Sequence, residues 1–143
     1  MKYKLTENKK TIRDITLYQI EALKDFSNIK KGDLGGWIEK ESNLSQQGNC
    51  WVFGNASVYG AASVSGNAEV YDNAWVFDDA MVFDDARVFG AAMVFGAAKV
   101  YDSARVYGNA WVSGRAKVSD YAEVYGSASV SGDAVVSGYA IIN

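Results

Sequence analysis

Residues 56–73 read ASVYGAASVSGNAEVYDN, three copies of a six-residue unit of the form Ala-x-Val-x-Gly/Asp-x. The unit continues without a break, because an alanine stands at every sixth position from Ala56 to Ala140. A valine lies two residues after each alanine except the last, where Ile142 takes its place. A short, fixed period over most of a chain indicates a repeat architecture, and here it decides the fold.

Each unit predicts a short strand followed by a corner. Alanine and valine two residues apart point to the same side of an extended strand, and glycine or aspartate suits the bend that follows. A period of six matches no helical period. Three units close a triangular coil of about 18 residues, and successive coils stack as parallel strands about 4.8 Å apart. We therefore predict an all-β fold, a single-stranded triangular parallel β-helix of hexapeptide repeats.

The hexapeptides resemble those of left-handed β-helix proteins, in which a small residue follows an aliphatic one by four positions, as Ala62 follows Val58. The resemblance implies a left-handed coil, an exception to the right-handed preference of parallel crossovers. Many proteins of this type are acyltransferases that act through a histidine, and another branch binds zinc through histidines. This chain has no histidine. The resemblance therefore implies the fold and no active site.

A second resemblance rests on the N-terminal third of the chain. It is carried by the segments LYQIEALKDF at 17–26, IKKGDLGGWI at 29–38 and NLSQQGNCWV at 43–52. Together these segments resemble the front end of the YdcK-like β-solenoid proteins of bacteria and their phages and prophages. The resemblance implies a β-rich cap that leads into the first coil, in a bacterial or viral cytoplasmic setting, and no settled biochemical activity.

We divide the chain into an N-terminal β cap, residues 1–43, and a hexapeptide solenoid, residues 44–143. Leu44 and Cys50 extend the alanine series backwards, and Cys50 is expected to be a small buried side chain. A cap is also needed physically, because a bare first coil would expose an unpaired parallel edge.

Within the cap, the apolar residues of 17–26 fit either a helix face or an alternating strand, and the resemblance favours the strand. Its hairpin partner is then Lys2–Leu5, with the turn at 7–10. Gly35-Gly36-Trp37 predicts a sharp entry turn followed by an aromatic lid on the core.

The composition offers little for catalysis. The chain has no histidine, which removes the usual general base near neutral pH and the commonest metal ligand. Asp78-Asp79 and Asp84-Asp85 form the densest acidic feature, but one hexapeptide separates the pairs, so we expect solvated residues at different corners. We predict no enzymatic activity, no catalytic residue, no metal site and no cofactor.

The net charge of −3 gives no strong nucleic-acid signal, and the solenoid is the acidic part of the chain. No long apolar run or secretory signal is visible. We expect a protein of the cytoplasm of a bacterial host cell, with no membrane association.

The outward positions fall on three faces when the repeat is folded by eighteen. The first face carries an aromatic column and opposite-charge neighbours, and ladder packing accounts for it: Phe53, Tyr71, Phe89, Tyr107 and Tyr125, with Glu69/Arg87 and Arg105/Glu123. Another set is too apolar for a monomer to leave in water. We predict that it forms a subunit or partner interface, with ladder packing as the alternative: Trp75, Phe77, Met81, Phe83, Met93, Phe95 and Trp111.

The chain ends Ala140-Ile141-Ile142-Asn143 without a capping segment. Either another subunit covers the last coil, or Tyr121 and Tyr139 fold over it. With the apolar face, the first option predicts a homo-oligomer, a dimer or a trimer.

The leading hypothesis is a non-catalytic oligomeric solenoid, a protein-binding or structural module that binds a second copy or a host protein. The alternative is a small-ligand protein that binds or sequesters a nucleotide, for example a phage counter-defence inhibitor. Its phosphate contacts would come from Arg87, Lys99, Arg105 and Lys117. An acyltransferase-like enzyme is a remote third reading.

Overall fold

The repeat valines and alanines line the inside of a three-sided coil. The structure is a computed structural model that describes residues 1–143. Each hexapeptide forms a two-residue strand that ends on the repeat valine, or on Ile142 in the last one. These sixteen strands are β4 (Trp51–Val52), β5 (Ser57–Val58), β6 (Ser63–Val64), β7 (Glu69–Val70), β8 (Trp75–Val76), β9 (Met81–Val82), β10 (Arg87–Val88), β11 (Met93–Val94), β12 (Lys99–Val100), β13 (Arg105–Val106), β14 (Trp111–Val112), β15 (Lys117–Val118), β16 (Glu123–Val124), β17 (Ser129–Val130), β18 (Val135–Val136) and β19 (Ile141–Ile142).

Three elements precede the repeat as regular strands and one as a turn of 3₁₀ helix. They are β1 (Tyr3–Ile12), β2 (Ile15–Ala22), β3 (Leu34–Ile38) and η1 (Glu41–Asn43). The strand over Ile15–Ala22 confirms the extended interpretation of this segment. No helix in the structure combines the length and apolar character needed to cross a membrane.

The repeat strands stack in parallel on three sides, and partners in adjacent coils are 18 residues apart. One side is an eight-stranded sheet of order β1-β2-β3-β5-β8-β11-β14-β17, in which the cap strands continue the solenoid. The others are a six-stranded sheet, β4-β7-β10-β13-β16-β19, and a five-stranded sheet, β6-β9-β12-β15-β18. The all-β, parallel solenoid of about six coils confirms the predicted fold class.

The corners depend on left-handed backbone conformations after each strand. Five aspartates stand at such positions with φ between +55° and +58°: Asp72, Asp78, Asp84, Asp102 and Asp120. A carboxylate oxygen of each accepts a hydrogen bond from the backbone N–H 18 residues further on, at 2.8–3.2 Å. Corner aspartates therefore stitch one coil to the next, a role beyond the solvated corner predicted for Asp78 and Asp84.

The cap hairpin turns later than predicted. β1 and β2 are joined at Arg13 and Asp14, which both have positive φ (49° and 69°), and residues 7–10 lie within β1. Two consecutive left-handed residues give the two-residue loop whose twist matches that of the flanking strands. The turn predicted at 7–10 is wrong, because the register shift between Leu5 and Lys9 absorbs that segment as an irregularity within the ladder.

The entry into the solenoid is also different from the prediction. Gly35 and Gly36 lie inside β3, which pairs in parallel with β5, and they form no turn. Glycine is needed there because a Cβ on Gly35 would lie 2.6 Å from the Val52 carbonyl oxygen. The aromatic lid over the core is Trp51, only 1% exposed, and Trp37 is only half-buried on the outer side of the sheet.

Leu44 pairs with Val64, so it stands in the valine series and the alanine-series placement is wrong. The separation of 20 residues, where later coils use 18, shows that the first coil carries two extra residues between Leu44 and Cys50. Cys50 is fully buried, as predicted.

A buried asparagine joins the cap to the first coils. Asn43 is 0% exposed and its side chain makes four hydrogen bonds. Its Oδ1 accepts from the backbone N–H groups of Glu39 (3.1 Å) and Lys40 (2.9 Å), and its Nδ2 donates to the carbonyls of Gly60 (3.1 Å) and Ala62 (2.8 Å). These bonds use both donors and both acceptor lone pairs of the amide, so no other side chain fits the position.

At the other end of the rod, Tyr121 and Tyr139 stack on each other with ring centroids 5.1 Å apart. They remain 59% and 81% exposed, and Ile141 is 61% exposed. The expectation that the two tyrosines fold over the last coil is wrong, because their positions beside a corner direct the rings away from the coil end.

We expect Gly114→Ala to lower the free energy of unfolding by more than Gly132→Ala. Both glycines have φ near +65°, so the cost of a left-handed alanine, about 1 kcal/mol, is common to both. A Cβ on Gly114 would lie 2.6 Å from the Gly132 nitrogen, whereas a Cβ on Gly132 meets nothing within 4 Å. Overpacking adds about 1–3 kcal/mol in the first variant only. Urea denaturation measures the difference, and equal losses would contradict the backbone-on-backbone stacking.

We expect Asn43→Asp to lower the free energy of unfolding by about 3 kcal/mol or more at pH 7, because a carboxylate oxygen would then face two backbone carbonyls in a buried site. Asn49→Asp is the matched control, since Asn49 is exposed and should change stability by less than about 0.5 kcal/mol. Similar urea midpoints for the two variants would show that Asn43 does not join cap and solenoid.

Candidate functional site

The residues predicted to form an interface lie on two sides of the solenoid. Five share the outer side of the eight-stranded sheet and are called the aromatic face below: Trp75, Phe77, Met93, Phe95 and Trp111. Met81 and Phe83 belong to the five-stranded sheet, across a corner from the aromatic face. The structure therefore brings five of the seven together and places the other two at their edge.

Register and ring packing organise the aromatic face. Met93 pairs with Trp75 on one side and with Trp111 on the other. Phe77 and Phe95 stack in parallel with centroids 5.0 Å apart, and Trp111 meets Phe95 edge to face at 5.9 Å. Ladder packing is thus present, but it leaves Trp111 49% exposed. Stacking between coils does not remove this surface from water.

The cap hairpin covers the N-terminal end of the same side. Ser57 and Tyr59 are next to the aromatic face in register, yet Ser57 is 0% and Tyr59 5% exposed. The hairpin lies over them: Lys10 Nζ is 4.8 Å from the Trp37 ring centroid, and the charge of Arg13 acts on Tyr59. Burial is the main cause that raises the pKa of Tyr59, and Arg13 opposes it.

The cover makes a small second core outside the coil. Leu17, on β2, is fully buried but does not belong to the main cluster inside the solenoid. The Ser57 hydroxyl is buried there without a hydrogen-bond partner. Nothing in the hexapeptide pattern predicts this cover. The run Leu17, Ile20, Leu23 and Phe26, with more apolar residues than one face of a strand needs, was the available signal.

The opposite end of this side is small and polar. The positions that follow the aromatic residues in the next coils are Ser113, Ser129 and Ser131, and the last two are exposed. Along the adjoining corner stand Asp79, Arg115 and Asp133, all exposed. Arg115 Nε lies 2.9 Å from Asp133 Oδ1.

The four cations predicted to contact an anionic ligand form two separate pairs. Arg87 and Arg105 are register neighbours on the six-stranded sheet, and Lys99 and Lys117 are register neighbours on the five-stranded sheet. Arg87 Nε lies 3.3 Å from Glu69 Oε1. No single site therefore gathers these four side chains.

Glu123, the predicted partner of Arg105, is adjacent to it in register but accepts a hydrogen bond from the Tyr107 hydroxyl at 2.8 Å. This hydrogen bond is the main cause that raises the pKa of Tyr107.

The largest groove, of about 770 Å³, runs beside the aromatic column of the six-stranded sheet. Its walls combine two aromatic rings with amide and carboxylate groups and include no cation: Asn28, Phe53, Gly54, Asn55, Glu69, Tyr71, Asp72, Asn73, Gly90 and Ala91. A groove with carboxylates and no cation does not suit a phosphate. Asparagine at 55, 73 and 109, on a period of 18, is the sequence signal that could have located it.

The one cysteine lies under the cap, where a thiolate is disfavoured. Burial raises the pKa of Cys50, and the thiol sulfur is 3.4 Å from Lys2 Nζ. Lys2 is only 1% exposed, donates to the Cys50 carbonyl at 2.8 Å and lies 5.0 Å from the Phe26 ring centroid. Burial also lowers the pKa of Lys2. Because nucleophilic cysteines are partly exposed thiolates, this pair fits a structural contact.

Comparison with known proteins agrees with the geometry of the coils. Residues 98–114 match the family model described as YdcK Beta solenoid repeat. Over 60 residues the chain is 38% identical to a protein of Escherichia coli (strain K12) named Uncharacterized acetyltransferase YdcK. That match covers 36% of this chain and 18% of the relative, so the chain corresponds to a minor part of the relative's length. The three-sided coil, the matched repeat and this relative together identify the structure as a YdcK-like β-solenoid.

Proposed function

We propose that the chain is a non-catalytic β-solenoid that works as a homo-oligomer, in which a second copy covers the aromatic face. The observation that carries the proposal is the half-open state of that side: the hairpin buries its first coil, and the next three coils present two tryptophans, a methionine and two phenylalanines. Tryptophan and methionine are enriched in protein interfaces, and monomers seldom expose contiguous apolar patches of this kind.

The available area supports association of moderate strength. Five coils at about 4.8 Å spacing, on a side at most about 20 Å wide, give about 500 Å² per copy. Two copies then bury about 1,000 Å², the lower limit for a specific interface. We therefore expect a dimer that forms in the micromolar range of concentration.

A protein surface fits the aromatic face better than a nucleotide does. The four cations lie on the other two sides of the rod, and the largest groove contains two carboxylates and no cation. Phosphate binding requires donors or positive charge at one place. These positions favour self-association over nucleotide sequestration.

The side chains available for catalysis support a non-catalytic role. The chain has no histidine, and its one cysteine is buried with a raised pKa. The relative's name includes acetyltransferase, but the match spans 18% of that protein. The setting we propose is the cytoplasm of a bacterium, with the gene bacterial or phage-encoded. The Escherichia coli relative supports this setting.

Replacing Trp75 and Trp111 by serine should convert the assembly to monomer and leave the rod folded, because both side chains project from the outer side of the coil. Light scattering after gel filtration gives the mass, and circular dichroism gives the folded state. Trp111→Ser alone is the milder variant, since Trp111 packs only on Phe95 among the aromatic rings. Trp51→Ser is the contrasting control and should unfold the chain, because Trp51 is buried under the cap. Folded variants that keep the mass of the wild-type assembly would refute the proposed interface.

Incubation with acetyl-CoA and amine or hydroxyl acceptors should release no CoA thiol above the protein-free rate. The release can be followed with a thiol reagent, because the buried Cys50 contributes little background. Sustained turnover that scales with protein concentration would overturn the non-catalytic assignment and support the activity in the relative's name.

A further inference from the structure

The outer column that runs through the aromatic face reads the same in both directions. From the hairpin end towards the last coil, register neighbours follow the order Ser57, Trp75, Met93, Trp111, Ser129. The sequence of side chains is therefore symmetric about Met93. An isologous dimer places each residue against its symmetry mate, so a column that is its own mirror image suits a two-fold axis through its centre.

Two face-to-face arrangements are available to a pair of rods. An axis that lies in the interface along the rod keeps the rods parallel, so that each coil meets the same coil of the other copy. An axis along the strand direction reverses one rod, so that the coils before Met93 meet the coils after it. Only the reversed arrangement keeps each column of side chains on its own column, and it places Trp75 against Trp111 of the other copy.

The charges beside the aromatic face distinguish the two arrangements. On the adjoining corner, Asp79 stands one coil before the position level with Met93 and Arg115 one coil after it. In the reversed arrangement Asp79 of each copy meets Arg115 of the other, which gives two opposite-charge contacts. In the parallel arrangement this corner meets the other corner of the side, where Asn55, Asn73, Ala91, Asn109 and Ser127 carry no charge.

The shape of the side leads to the same choice. The hairpin adds a layer over Ser57 and Tyr59 at one end, and the other end has only the small side chains of Ser129 and Ser131. Reversing one rod sets the hairpin of each copy over the serines of the other. In the parallel arrangement the two hairpins would meet and hold the aromatic faces apart.

We infer that the protein forms an antiparallel two-fold dimer about Met93, with Trp75 on Trp111 and Asp79 on Arg115 across the interface. The inference rests on the proposed self-association and adds the register and the charge pair that fix it.

Charge reversal in trans tests the register. Asp79→Arg alone brings two arginines together at each contact, and Arg115→Asp alone brings two aspartates together. Each variant should raise the dimer dissociation constant by about tenfold. An equimolar mixture should restore dimerisation, because the heterodimer pairs Arg at 79 with Asp at 115, and the native Asp79 with the native Arg115. Sedimentation velocity with one variant fluorescently labelled measures the heterodimer directly.

Asp85→Arg is the control, because Asp85 is an exposed corner aspartate on a different corner and the same charge change there should leave dimerisation unaltered. Asp133→Asn removes the acid that pairs with Arg115 within one chain and should strengthen the dimer or leave it unchanged.

The outcomes separate the two proposals. Dimers that are insensitive to both reversals, or a mixture that stays as weak as the separate variants, overturn the antiparallel register and leave self-association standing. A wild-type chain that stays monomeric at all concentrations overturns self-association and the register with it.

Discussion

The structure depends on one constraint: each residue of a coil sits on the residue 18 positions before it. Backbone N–H groups of one strand donate to carbonyls of the next coil, so any residue that breaks the spacing would misalign every bond beyond it. The inner valines and alanines remove apolar surface from water, and glycine or aspartate in the left-handed conformation turns each corner. The same constraint transfers the outward side chains into straight columns, from which any surface function of the rod must arise.

Much of the fold follows from the repeat because its information is local. Val58 and Ala62 each report their own environment, and their period gives the coil, the number of sides and the outward columns. The sharing of roles at the corners by glycine and aspartate is also local, although the hydrogen bond from an aspartate to the next coil was not predicted. It became visible only with the spacing between coils.

The cap resisted prediction because its contacts join distant parts of the chain. Asn43 bonds to carbonyls near residue 61, and Leu17 is buried against the outside of a coil, although neither contact has a counterpart in the repeat. The turn at Arg13 and Asp14 lacks glycine and asparagine, the residues that usually mark a left-handed two-residue loop. The aromatic side was predicted as a set of residues, but its division between two sheets and its partial cover by the hairpin depend on tertiary structure.

The account centres on the claim that a second copy covers the aromatic face. Sedimentation equilibrium of the unmodified chain, from below one micromolar to several hundred micromolar, tests it most directly. The account predicts a reversible increase in mass from one chain of 15.5 kDa to two chains across the micromolar range. A single species of 15.5 kDa over the whole range would contradict it.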